Sequence, residues 1–482
     1  MNSRMPNENA YPELALLIGG ERRTVRESLP VFNPSTEKEI GRVPVATAHD
    51  LEDAVVAAAQ GFEAWKRVAP ERRCDILMDA ARLIRTRVDS IAPVLTLEQG
   101  KTLAEAKAEI LRACDIIDWD AQEGRRIYGR VIPSAPGVRL TVIRQPVGVV
   151  VAFSPWNFPF GSPCRKLSGA LAAGCAIVLK PSEETPASAH LLAQAFLDAG
   201  VPPKAISIVT GVPDQIATAL IGHAQVRLVA FTGSVPVGKR IASLAAQAMK
   251  PALLELGGHG PAIIFGDVDP VETAKAAVAV KTRSGGQICT NPTRFIIHRD
   301  IAEAFTQAFA EAAGKVVLGD GFSQGVQMGP LVNGRRVEAM QEMVDDGLAR
   351  GGRLVCGGKR VDSAGHFYPV TLLADLPDEA KAMCEEPFGP LALVETFDNL
   401  EQAIGRANRL SYGLGAYVFA KSASVIQRVV DAMECGNLSV NHFGGTVPQT
   451  PLGGVKDSGY GREGGTEGLT HYTLVKCISE QY

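Results

Sequence analysis

A chain of 482 residues exceeds what one hydrophobic core ordinarily spans and predicts two or three domains. With 46% hydrophobic and 21% charged residues, a net charge of −3 and no block of like charges, it lacks the electrostatic footprint of a nucleic-acid or anionic-membrane binder. The 9 cysteines form neither a CxxC pair nor a Cys/His cluster at zinc spacing, which argues for a reducing compartment and against a structural metal. Small molecules and further copies of the chain are the expected partners.

Residues 1–13 are polar, without the basic start and apolar stretch of a signal peptide, and apolar runs such as 169–179 are far shorter than a membrane span. A cytoplasmic location is the expectation. A short strand and turn are predicted at Leu14 to Ile18 and Gly19-Gly20, with another turn at Asn33-Pro34-Ser35-Thr36. From Asp50, read as an N-cap, Leu51, Ala54, Val55, Ala58, Phe62 and Trp65 mark one face of a helix. A second helix opens at Pro70 with Ile76, Leu77, Ala80 and Ile84 inward; a third carries Leu103, Ala106, Ile110, Ala113 and Ile117. These stripes read as core. Residues 130–146 read as two strands joined by a Pro/Gly turn, either a surface hairpin or an arm that pairs with another subunit.

From Val147 the pattern alternates. Strands are predicted at 147–153, 176–179, 206–209 and 227–231, and helices at 161–173, 186–199, 213–222 and 235–248. Continuous apolar strands between helices imply a parallel sheet covered on both faces, with ligands beyond the carboxyl ends of the strands. Three junctions there carry chemistry. Phe231-Thr232-Gly233-Ser234 opens a helix whose free amides suit a pyrophosphate, although a glycine at a tight turn is the ordinary reading. Lys180 and Glu183 suit a ribose diol, and the carboxylate would repel a 2′-phosphate, favouring NAD over NADP. Asn157, held between Pro155 and Pro159, is either an oxyanion donor or an Asx-turn residue.

Glu255 closes the apolar run Leu253-Leu254 immediately before Gly257-Gly258, so desolvation should raise its pKa toward that of a general base. A second series follows, with strands at 261–265, 295–298, 391–397 and 417–420 and helices at 271–281, 301–316, 400–409 and 423–435. Residues 256–260 then lie at a domain boundary, where clefts form. This second unit carries Lys281 to Asn291, a glycine-flanked turn presenting Cys289. Taken alone, that thiol reads as a buried, inert cysteine.

Taken together, SPWNFP (154–159), LKPSEETP (179–186), FTGS (231–234), ELGG (255–258), GGQICT (285–290), EEPFGP (385–390) and GREGG (461–465) give another reading. In this order they closely resemble the NAD(P)-dependent aldehyde dehydrogenases, succinate-semialdehyde dehydrogenases above all. The resemblance implies an α/β fold of two Rossmann-like domains plus a β oligomerisation arm. Residues 1–122 and 146–257 would bind the dinucleotide, 258–457 would be catalytic, and 123–145 with 458–482 would bridge subunits of a homodimer or homotetramer. It implies Cys289 as nucleophile, Glu255 as base, the Asn157 side chain with the Cys289 amide as oxyanion hole, and Lys166 with Glu463 as a proton relay. Trp156, Lys180, Glu183, Gly233, Ser234, Glu386 and Phe388 would contact NAD, with NADP as the alternative, and no metal is implied. In that scheme a thiolate attacks the aldehyde, the alkoxide expels hydride to the nicotinamide, and water activated by Glu255 hydrolyses the thioester.

Arg165 and Arg283 match the positions at which succinate-semialdehyde dehydrogenases hold the substrate carboxylate, and two guanidinium groups near a nucleophile suit an aldehyde with a distal acid. Taken singly, each arginine reads as a surface ion pair. Succinate semialdehyde is the expected type of substrate; glutarate or 2-oxoglutarate semialdehyde and neutral aldehydes are the alternatives. Leu452 replaces a usual phenylalanine, which puts substrate length in question, and Thr290-Asn291 leaves no second cysteine for a local disulfide switch. Residues 441–450 are expected to line the entrance, and His259 reads as structural. Glu255 argues for a hydrolytic, non-acylating enzyme over one that passes the thioester to CoA or phosphate. The reading from another class is a catalytically silent NAD-binding or structural protein, which the filled catalytic positions oppose. An esterase reaction of Cys289 is expected only as a side activity.

Overall fold

The computed structural model describes residues 11–482. Residues 1–10, which hold most of the polar start and the beginning of the expected dinucleotide-binding segment, lie outside the described residues.

Two large sheets organise the chain. The first runs in the order Gly459–Tyr460, Ala252–Glu255, Val226–Thr232, Val149–Phe153, Ala176–Lys180, Ile206–Ile208, Leu16–Ile18 and Glu21–Arg23. Its five middle strands are parallel and both edges are antiparallel. Every residue of Val149–Phe153 and Ala176–Lys180 is buried, as continuous apolar strands under helices on both faces require. The register aligns Thr232 with Glu255, and Phe153 with both Phe231 and Lys180. The carboxyl ends of four adjacent strands therefore finish along one line, and the segments bearing Asn157, Lys180, Gly233 and Glu255 meet there.

The second sheet runs Arg353–Cys356, Thr371–Ala374, Leu391–Phe397, Pro292–His298, Gly260–Ile264, Gly415–Phe419 and Asn437–Val440, parallel except at its first pair. Here the carboxyl-end expectation fails. Gly257-Gly258, Cys289 and Glu386 all precede strands, so this sheet turns its amino ends toward the carboxyl ends of the first. No element was expected between 317 and 390, yet the helix Gly334–Ala349, capped by Asn333, and two strands lie there.

A capping residue corrects one expected helix start. Thr47, not Asp50, caps the helix Ala48–Trp65, and Asp50 returns the bond from the third helical position in a capping box. The helix Leu103–Gly124 opens on the same device, with Thr102 and Glu105. A third sheet pairs Arg130–Ile132 with Val138–Pro146, and that strand along its whole length with Thr473–Gln481. Val131, Leu474 and Val475 are exposed on it. Among the described residues, no helix is long and apolar enough to cross a membrane, and no group of three or more His, Cys, Asp or Glu is placed to hold a metal.

Candidate active site

Cys289 follows a backbone that only particular residues allow. Ser284, Gly285 and Gly286 have φ of 49°, 61° and 73°, the left-handed region that favours glycine. Ser284 is held there because its amide donates to the Glu105 carboxylate at 2.7 Å, from a helix far away in sequence. Gln287 locks the far side: its side-chain amide donates to the Ser284 carbonyl at 2.9 Å, and its oxygen accepts from the Val332 amide at 3.0 Å. Gly258 completes the seat, since a Cβ there would lie 2.6 Å from the Cys289 carbonyl oxygen.

Asn157 is buried opposite this turn, and its Nδ2 donates to the Gln287 carbonyl at 2.9 Å. One of its two N–H bonds is thus fixed on the cysteine's own turn, leaving the other for a substrate oxygen. Its backbone carbonyl accepts from Lys101 at 2.9 Å, and Lys101 is ion-paired with Glu109 at 2.5 Å. Both partners are buried, and Glu109 also accepts from the Phe160 and Gly161 amides at the start of the helix Gly161–Ala172. Sequence reading missed this pair; Leu103 to Ile117 showed only a core stripe.

Glu255 is buried and its Oε1 has no hydrogen-bond partner. Burial, and then the charge of Glu463, hold its carboxyl well above the usual range, against the opposing pull of Lys166. Lys166 and Glu463 are themselves a buried ion pair at 2.6 Å. Burial, then Glu386 and Glu255, push the Cys289 thiol up to about 12. The free protein therefore holds a neutral thiol facing a carboxyl that resists ionisation.

The residues expected at a cofactor lie along the line of strand ends. Lys180 and Glu183 are ion-paired with each other. Ser234 is exposed at the start of the helix Val235–Gln247, but the Gly233 amide already donates to the Glu255 carbonyl at 3.1 Å, and Pro236 removes another donor. Of the two, Ser234 is the one left facing outward. Glu386 accepts from the Gly258 amide at 3.0 Å, with its carboxyl raised to about 8 by burial. Trp156 and Phe388 meet edge to face with centroids 5.4 Å apart. An exposed helix start, a paired Lys and Glu at a strand end and an aromatic corner fit a dinucleotide's phosphate, ribose and ring.

A cavity of about 260 Å³ brings Cys289, Glu255, Asn157 and Glu463 to one surface. Arg165 and Arg283 line it too, and the Arg165 Nη1 is buried without a hydrogen-bond partner. A third arginine, Arg112, shares the wall and escaped sequence reading. Phe443, Gly445, Thr446 and Leu452 line the same space, so part of the 441–450 segment borders it. His259 is away from it, buried between the Thr293 hydroxyl at 2.6 Å and the Ala382 carbonyl at 2.9 Å. Burial lowers its pKa well below the usual value, which fits a structural role.

The aldehyde dehydrogenase family matches residues 21–478. The 4-(hydroxymethyl)benzenesulfonate dehydrogenase of Comamonas testosteroni is 47% identical over 96% of this chain and 97% of its own length. The NADP(+) succinate-semialdehyde dehydrogenase of Escherichia coli is 38% identical over 98% of this chain and 99% of its own. A betaine aldehyde dehydrogenase from Staphylococcus aureus, solved with NAD+, superposes with a TM-score of 0.95 at 32% identity, covering 97% of this chain and 94% of that one. The chain belongs to the aldehyde dehydrogenase family, whose members oxidise aldehydes with NAD(P).

Proposed function

We propose that this enzyme oxidises an aldehyde bearing a distal anionic group to the corresponding carboxylic acid, through a thioester on Cys289. The observation that carries the distal anion is the buried, unpartnered Arg165 Nη1 in the wall that also presents Cys289 and Glu255. A buried guanidinium N–H without an acceptor is costly, and an anionic substrate group supplies one.

The chain's residues divide the work. The Cys289 sulfur adds to the carbonyl carbon once its proton has left, and the free N–H of Asn157 with the Cys289 amide stabilises the resulting alkoxide. A bound nicotinamide would supply the acceptor for the hydride that leaves as this alkoxide collapses. Glu255 then takes a proton from water, which cleaves the thioester and returns the thiol. Lys166 and Glu463, a buried pair whose charges both act on that carboxyl, offer its proton a buried route outward. Trp156, Lys180, Glu183, Gly233, Ser234, Glu386 and Phe388 receive the dinucleotide. Glu183 favours NAD over NADP, because a carboxylate at the ribose repels a 2′-phosphate.

Residues 11–122 and 146–257 form the dinucleotide-binding unit, 258–457 the catalytic unit, and 123–145 with 458–482 the arm that joins subunits. The relatives' names admit two kinds of distal anion, a carboxylate and a sulfonate. A hydroxymethyl group offers Cys289 no carbonyl, so for this site the relevant aryl compound is the aldehyde. The test is kcat/KM for succinate and glutarate semialdehydes, formylated aryl acids and length-matched neutral aldehydes, each with NAD and NADP. Anionic aldehydes with NAD should lead; equal efficiency for the neutral series would refute the distal-anion reading.

A further inference from the structure

We propose that Arg112 is a specificity-determining residue which, with Arg165 and Arg283, receives a sulfonate on the substrate; this rests on the distal-anion reading above. The three arginines reach one cavity from separate elements: the helix Leu103–Gly124, the helix Gly161–Ala172 and the turn before Cys289. Arg112 and Arg283 are exposed at the cavity and Arg165 is half-buried; after desolvation, Arg165 and Arg283 are what lower the Arg112 pKa, so each lies close enough to repel it. None of them is ion-paired to a carboxylate among the described residues, although Asp115 exerts a weaker attraction on Arg112.

The carboxylates on the same wall are engaged elsewhere. Glu105 accepts from Thr102 and Ser284, Glu109 pairs with Lys101, and Glu463 pairs with Lys166. Asp120 and Glu255 feel the Arg165 charge without bonding to it, and Asp120 is bound by the Ser168 hydroxyl. Three clustered, unneutralised guanidinium groups are unfavourable alone and favourable around an anion.

The number of oxygens distinguishes the candidates. A carboxylate has two, in one plane, and one guanidinium fork satisfies it bidentately. A sulfonate has three, arranged as a tripod about tetrahedral sulfur, so each can face its own arginine. Arg112 is aimed by the entrance segment, because its Nη2 donates to the Thr446 carbonyl and Gly445 lies against it. That gives residues 441–450 a role: they orient the third cation. Ala108, Ile116, Ile288 and Leu452 make the wall between arginines and thiol apolar, which suits an aryl or alkyl spacer.

The experiment measures kcat/KM for 4-formylbenzenesulfonate, 4-formylbenzoate and benzaldehyde with wild type, Arg112→Gln and Arg112→Lys. The sulfonate-to-benzoate ratio should fall by about tenfold or more in Arg112→Gln, chiefly through KM, and recover partly in Arg112→Lys. A ratio unchanged by Arg112→Gln overturns the role of Arg112, even where anionic aldehydes still exceed benzaldehyde. Wild-type preference for benzaldehyde would instead remove the distal-anion reading and this proposal with it.

Discussion

At the scale of single residues, the site is a problem in protonation. Cys289 must be a thiolate to react, yet burial and two carboxyls push it up to about 12 in the free protein. A raised thiol pKa means that the reactive fraction grows with pH throughout the range below it. Alkylation of Cys289 by iodoacetamide in cofactor-free enzyme should therefore accelerate about tenfold per pH unit between roughly pH 7 and 9. A rate already level across that range would mean that the free enzyme stabilises the thiolate. Burial is the first cause of both shifts: it suppresses the Cys289 thiolate and raises Glu255, and Glu255 in turn adds to the rise at Cys289. Glu255 was legible as a base because a carboxyl closing an apolar strand must be desolvated. The strength of the thiol's suppression was not, since Glu386 comes from a segment about a hundred residues later and Glu255 from the other sheet.

At the scale of elements, the site depends on helix starts and strand ends more than on the helices themselves. Glu105 serves the capping box of its own helix and, with its other oxygen, the left-handed Ser284 amide. Lys101 and Glu109 fasten the start of that helix to the Asn157 carbonyl and to the next helix. Removing one member of a buried pair strands the other. Lys101→Met should cost about 3–5 kcal/mol in chemical denaturation and lower kcat by loosening Asn157. Lys101→Met with Glu109→Gln should recover part of that stability, and a single variant as stable as wild type would contradict the assignment. Lys101, Glu109 and Arg112 were illegible in sequence. Lys101 precedes its helix and Glu109 reads as a solvated charge on it, and only packing against Gly161–Ala172 buries them, while Arg112 is exposed and reaches the cavity through its contact with Thr446.

At the scale of the whole molecule, the cavity lies where carboxyl ends of one sheet face amino ends of another. The alternation of strands and helices, the order of the motifs and the short signatures around Asn157, Glu255 and Cys289 were legible because each is local. The orientation of the second sheet was not, because strand direction relative to another domain leaves no local signal. Nor was the partner of 138–146: the strand Thr473–Gln481 comes from the other end of the chain, and its pairing is set by closure of the fold. Its exposed Leu474 and Val475 suit contact with a second subunit. Truncation before Thr473 should therefore lower the mass measured by light scattering to that of a smaller assembly; an unchanged mass would move the subunit contact elsewhere.

The central claim is that Cys289 and Glu255, carried by different sheets, act in sequence on one aldehyde. Intact-mass and peptide mass spectrometry of Glu255→Gln, incubated with NAD and an anionic aldehyde, tests it most directly. The predicted result is an acyl increment on the Cys289 peptide, formed with about one equivalent of NADH and then persisting, because hydrolysis loses the base and slows by roughly 10²–10⁴-fold. An unmodified Cys289 in enzyme that still turns over, or an acyl group on another residue, would contradict it.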